Sequence, residues 1–208
     1  MKSYNTVHTG GQGEIVEKKS RFIANVFPIS TEEEAVTRIE EIRKKYWNAR
    51  HNCWAYVLGI NPPVERLSDD GEPAGTAGKP ILEVIRGREL TNVLVIVTRY
   101  FGGTLLGTGG LVRAYTSAAV EGMRDSKIIT RIFGSKLHMI IEYADWGKIQ
   151  YSLGKRNLSP AECTYTDKVE LELLVSEDEE EGLRKEVMEG TNGQAVIEKT
   201  EECWFEKQ

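Results

Sequence analysis

The chain has 208 residues, 40% hydrophobic and 28% charged, which is ordinary globular composition and excludes collagen-like, fibrous or disordered chains. Net charge is −5, which excludes a uniformly basic nucleic-acid binder, but the charge is unevenly spread. Residues 1–134 carry 18 Lys plus Arg against 15 Asp plus Glu, a net of +3; the rest carries 9 against 17, a net of −8. A polyanion is therefore expected to meet the N-terminal part.

The three cysteines, Cys53, Cys163 and Cys203, are odd in number and widely spaced. That pattern argues against a disulfide framework or a zinc site and fits reduced thiols in a cytoplasm. The N-terminus has no apolar signal region, and no run reaches the roughly 18 apolar residues of a membrane span. The expectation is a cytoplasmic protein without membrane contact.

Taken in chain order, Glu14 to Ile29 predicts two short strands joined near Ser20. Ser30-x-x-Glu33 predicts a capping box. Ala35, Ile39, Ile42 and Tyr46 then give a helix over about 31–47. Asn52 to Gly59 predicts a buried strand, and Asn61-Pro62-Pro63 breaks the chain. A polar loop covers Leu67 to Gly78, and Pro80 opens a helix carrying Ile81, Leu82 and Ile85. Asn92 to Arg99 is a continuous apolar strand, which predicts burial on both faces. Gly102 to Gly110 is a glycine loop before a helix over Leu111 to Asp125, and Lys127 to Phe133 is a strand.

The sign of the charge balance changes at Gly134-Ser135, and the domain boundary is placed there, giving domains 1–134 and 135–208. The remainder predicts strand 136–143, helix 145–155, strands 161–166 and 168–175, helix 177–188 and strand 195–205. Ser176-x-x-Glu179 is a second capping box. This β-α-β-β-α-β order is ferredoxin-like, so the fold class is α+β.

Two stretches stand out. Ser68-Asp69-Asp70-Gly71-Glu72-Pro73-Ala74-Gly75-Thr76-Ala77-Gly78-Lys79-Pro80 is followed by Thr98-Arg99-Tyr100-Phe101-Gly102-Gly103-Thr104-Leu105-Leu106-Gly107-Thr108-Gly109-Gly110-Leu111-Val112-Arg113-Ala114-Tyr115. Glycines between a buried strand and a helix expose backbone N–H groups that attract anions. Arg99 and Arg113 could flank that place, Lys79 opens another helix after a second glycine-rich loop, and Tyr100 and Phe101 could stack on a base. Lys18, Lys19 and Arg21 on the first hairpin form the densest N-terminal basic cluster, or else a charged strand edge. The candidate nucleic-acid or anion site is thus Lys18, Lys19, Arg21, Lys79, Arg99, Tyr100, Gly102, Gly103, Gly107, Gly109, Gly110 and Arg113. The stretch lacks the G-x-x-x-x-G-K-[ST] and G-x-G-x-x-G nucleotide spacings. The same glycines could equally serve a tight turn and close helix–sheet packing.

Asp69, Asp70 and Glu72 could hold a divalent cation, or simply form a polar turn. His51 could act as a general base beside them, but no nucleophile with a matching acid follows from the spacing. His8 and His138 have no partner in the sequence, and Cys53 beside Trp54 is expected to be a core thiol. No catalytic residue and no cofactor is expected.

The two motifs, with the strand Asn92 to Val97 between them, resemble the Impact family, specifically its bacterial YigZ-like branch. The resemblance implies an N-terminal domain with the ribosomal protein S5 domain 2-like fold. It also implies a smaller ferredoxin-like C-terminal domain, a pair similar to the last two domains of elongation factor G. Eukaryotic relatives regulate translation by competing for an activator of the amino-acid-starvation kinase. That kinase pathway is eukaryotic, so the partner does not carry over, and neither does any catalytic residue. The function expected is a non-enzymatic binding or regulatory protein that contacts RNA or a ribosome-associated protein in translation. The alternatives are a metal-assisted hydrolase on the Asp69-Asp70-Gly71-Glu72 loop and a protein–protein regulator with no nucleic-acid contact.

Overall fold

A computed structural model describes residues 2–206. Contacts divide them into two compact units, residues 4–130 and residues 131–206 together with 2–3. Among the described residues no helix is long and apolar enough to cross a membrane.

The first strand, β1 (Ser3–Thr9), has no counterpart in the predicted elements. β2 (Gln12–Glu17) and β3 (Ser20–Pro28) form the predicted hairpin, turning through Lys18 and Lys19. Both lysines have positive φ, 45° and 67°, the pattern of a two-residue type I′ turn. Helix α1 (Glu32–Lys45) is capped by Thr31, whose hydroxyl accepts from the Glu34 N–H at 3.1 Å. The capping pair is therefore one residue later than Ser30 and Glu33. The Glu34 carboxylate accepts from the Ser30 N–H instead. Three acidic residues in its first turn and three basic ones in its last complement the helix dipole.

β4 (His51–Leu58) is followed by a cis Asn61–Pro62 bond and by β5 (Val64–Ser68), a strand that the sequence reading leaves out. It sits at a sheet edge, where charged Glu65 and Arg66 obscure its pattern. Helix α2 (Gly78–Gly87) leads to β6 (Val93–Tyr100), and α3 (Gly107–Arg124) starts one turn before the predicted Leu111. The sheet order is β2-β3-β6-β4-β5, antiparallel throughout, with β6 at its centre. One face packs Phe22, Ala24, Cys53, Val95 and Val97 under α2 and α3. The other packs Leu94, Ile96 and Tyr56 under α1. Cover on both faces, not parallel pairing, explains the unbroken apolar run of β6.

In the second unit the strand β7 (Lys127–Ile141) runs unbroken through the position where two separate strands are predicted, and through the division between the units. Gly134 does not break it, because a Cβ there would lie 2.0 Å from the Val175 carbonyl oxygen. The residue is glycine for close approach of a neighbouring strand. Then come α4 (Tyr143–Lys155), β8 (Glu162–Tyr165), β9 (Val169–Ser176), α5 (Glu177–Gly190) and β10 (Val196–Glu206). β7 lies between β10 and β9, and β8 flanks β9. That antiparallel arrangement is ferredoxin-like. Leu137, Met139, Leu171 and Leu173 meet Ile149, Leu153, Leu183 and Val187 of the two helices. At α5 the capping-box side chains bond each other, Ser176 Oγ donating to Glu179 Oε2 at 2.6 Å.

Candidate nucleic-acid interface

The two motifs meet at one end of the first sheet. There β6 ends, β4 begins, the β2–β3 turn lies, and α2 and α3 start. Arg99 is the last β6 residue on the α2/α3 face and is only 6% exposed. Its Nη1 donates to Glu72 Oε1 at 2.7 Å, and Nη2 reaches Ser20 Oγ at 3.5 Å. Its guanidinium carbon lies 5.4 Å from the Phe22 ring centre and 5.5 Å from that of Phe101. Arg99 therefore turns inward and is already paired, so it does not edge an anion site as expected. The Arg99 Nε alone finds no acceptor.

Glu72 also accepts from the Tyr115 hydroxyl at 2.8 Å. The Cys53 thiol lies 3.3 Å from that hydroxyl and 2.9 Å from the Asp69 carbonyl. Burial above all, then the neighbouring Cys53 and Glu72, pushes the tyrosine well above its ordinary pKa. Burial likewise pushes the Cys53 thiol up, against the pull of Tyr115. Both groups therefore stay protonated near neutral pH and serve as hydrogen-bonding elements, with no thiolate nucleophile available.

The other two carboxylates are also occupied. Asp69 Oδ1 accepts from Ala77 N at 3.0 Å and Gly78 N at 2.8 Å, and Oδ2 accepts from Gly75 N at 2.8 Å. Asp69 is thus the cap of α2, supplied from eight residues upstream of Ala77. Asp70 pairs with Arg43 at 2.8 Å and accepts from Asn52 N at 2.6 Å, while its carbonyl faces His51 Nδ1 at 2.8 Å. Among the described residues no group of acidic, histidine or cysteine side chains could hold a metal ion. The Asp69, Asp70 and Glu72 side chains bond outward to different elements, Asp69 to the start of α2, Asp70 to α1 and β4, Glu72 to β6 and α3, instead of converging on a cation. An Asp69→Ala variant leaves three N–H groups without their acceptor. The expected cost is about 1–2 kcal/mol, the range of a lost helix cap, measured by denaturant unfolding.

The glycines divide by role. Gly102 is a packing position: a Cβ would meet the Lys19 carbonyl carbon at 2.0 Å. Its N–H donates to Ser20 Oγ at 3.1 Å, which fixes the Lys18-Lys19 turn against it. Gly103 has φ +85° in open space. Gly107, Gly109 and Gly110 are not in a loop but in the first turn of α3. Leu106 caps that turn without any side-chain bond, and Gly107, Thr108 and Gly109 are exposed. The first N–H groups of a helix have no partner inside it. The α3 start therefore presents free donors, whereas those of α2 are taken by Asp69.

Arg113 is exposed on the next turn, and a Cβ on Gly109 would lie 3.7 Å from its Nη1. Lys79 is exposed in the first turn of α2. Arg21 is held by Glu14 through two bonds of 2.6 and 2.8 Å, a pairing that lowers the Glu14 pKa. Tyr100 points to the other face of the sheet, its hydroxyl donating to Asn48 Oδ1 at 2.9 Å and its ring against Tyr46. The structure thus brings together Lys18, Lys19, Gly102 and Gly103 at the turn, and Gly107, Gly109, Gly110 and Arg113 at α3. It withdraws Arg99, Arg21 and Tyr100. His138, in the second unit, sits 3.8 Å from Glu170.

Sequence reasoning missed Tyr115 and Ser20 as polar partners. Tyr115 falls on the apolar line of α3, so only its ring is legible there. Ser20 looks like an ordinary turn residue.

Comparison with known proteins gives a consistent set of relatives. Residues 18–123 match the model of the Impact N-terminal domain, and residues 139–194 match a domain of unknown function (DUF1949). The chain is 42% identical over 207 residues to the IMPACT family member YvyE of Bacillus subtilis, covering 100% of this chain and 95% of that protein. It is 35% identical to an IMPACT family member of Haemophilus influenzae, covering 87% and 89%. A crystal structure described as that of a hypothetical protein aligns with TM-score 0.61 at 29% identity, covering 97% and 98%.

Proposed function

This chain belongs to the Impact family, and from that membership we propose that it is a non-enzymatic regulator that binds the translation machinery, contacting RNA or a ribosome-associated partner. One observation carries the reading. The exposed, uncapped first turn of α3 lies beside Arg113, which has no carboxylate partner among the described residues. Free amides and a free guanidinium at one place suit phosphate oxygens. The closed Glu72-Tyr115-Cys53 network supports a binding role over a chemical one, because its groups are committed to each other.

Sucrose-gradient sedimentation of lysate tests this. The protein is expected to travel with ribosomes at low salt and to leave them at high salt, since counterion release drives phosphate contacts. Arg113→Glu weakens the association and reduces the salt slope by about one. Sedimentation with ribosomes that ignores salt, or none at low salt, overturns the proposal.

A further inference from the structure

The charged groups at this end do not cancel. The three acidic side chains of the first motif are each consumed inside the fold: Asp69 by backbone amides, Asp70 by Arg43, Glu72 by Arg99 and Tyr115. Lys18, Lys19, Lys79, Arg50 and Arg113 have no such partner among the described residues. Against these five cations stands Glu17, exposed beside Lys18 and likewise without an ion-pair partner among the described residues, so the balance a ligand meets is positive.

Two aromatic rings at this end of the unit stand exposed. Trp47 is 81% exposed and Phe101 48%. They flank one anchored residue. Tyr100 precedes Phe101 in the chain, and it is gripped by Tyr46 and Asn48, the two neighbours of Trp47. Its ring is 6.5 Å from that of Tyr46. Trp47 follows α1 on one side of the sheet, and Phe101 follows β6 and leans on Arg99 on the other. Exposed large apolar rings lose favourable free energy to water unless something covers them. Neither ring is needed by the two cores, whose buried members do not include them.

A double helix hides its base faces, so it can use the cations but not the rings. Unpaired bases offer faces that stack on aromatic side chains while their phosphates follow a cationic track. We infer that this end of the first unit recognises single-stranded RNA, with Trp47 and Phe101 as stacking platforms and Lys18, Lys19, Arg50 and Arg113 on the phosphates. The inference rests on the reading proposed above and narrows its ligand.

The test is fluorescence anisotropy with the full chain, using a labelled unstructured RNA oligonucleotide and a duplex of matched length. The single strand is expected to bind more tightly at equal salt. Trp47→Ala and Phe101→Ala each lower its affinity by roughly tenfold or more, and Trp47→Phe restores it. The duplex is indifferent to all three changes. Both rings are exposed, so these variants keep the fold, which circular dichroism verifies. Equal binding of both RNAs, unchanged by the substitutions, overturns the single-strand inference and leaves phosphate contact standing. Binding to neither RNA while the chain still sediments with ribosomes in a salt-dependent way assigns this end to a protein partner and also overturns it. Binding to neither, with no sedimentation, removes both readings.

Discussion

Replacing Glu72 with alanine is expected to destabilise the first unit by about 3–5 kcal/mol, the range for removing one partner of a buried ion pair. The Arg99 side chain is 7% exposed and that of Glu72 is 4%, so water cannot take over the lost partner. The guanidinium would keep only one hydrogen bond, the long one to Ser20 Oγ, beside its contacts with the Phe22 and Phe101 rings. Tyr115 would lose its acceptor at the same time. Much of this loss belongs to the stranded charge, so a second change should recover it. Glu72→Gln with Arg99→Met is expected to regain most of the stability. Urea unfolding followed by Trp fluorescence checks both. If Glu72→Ala unfolds at the wild-type midpoint, the pair does not hold this end together.

The second large effect is expected at Gly102. Alanine there places a methyl group 2.0 Å from the Lys19 carbonyl carbon and 2.3 Å from the Ser20 amide nitrogen. Backbone is on both sides, so the turn itself must move. Overpacking of this kind costs about 1–3 kcal/mol, and more where nothing can give. Gly103→Ala makes the contrast. Its neighbourhood is open, so only the left-handed backbone at φ +85° resists, at roughly 1–2 kcal/mol. Hydrogen exchange of the β2–β3 amides separates the two: Gly102→Ala should deprotect the hairpin, and Gly103→Ala should not.

These two residues show how much of the molecule was readable in its sequence. The helices and most strands follow from apolar period and turn chemistry, as at Ala35-Ile39-Ile42 or Val93 to Val97. Period reports which side faces a core, and little else. It cannot see β5, whose edge position lets charges occupy it. It cannot tell Gly134, squeezed against Val175, from a chain break. The site was half legible. Glycine spacing pointed to a helix start after β6 but placed it at Leu111, whereas Gly107 to Gly110 already form the first turn. It could not reveal that Arg99, 27 residues from Glu72 in the chain, is neutralised by it. Nor does alternation along β6 warn that Tyr100 is committed to α1, because the choice of face depends on where the neighbouring helix ends. Trp47 entered only as the end of the first helix, where apolar period says nothing about how exposed a ring is.

The position of β6 has a consequence for how the chain is made. β3 pairs with it from Arg21↔Tyr100 to Pro28↔Val93, and β4 pairs with its other edge. On a growing chain, the β2–β3 hairpin and β4 therefore emerge well before the strand that joins them. Contacts of such long sequence separation close slowly, and the waiting edges are sticky. During synthesis the nascent first unit is thus an open, apolar half-sheet until Tyr100 clears the exit, and that interval is when it most needs protection from its neighbours.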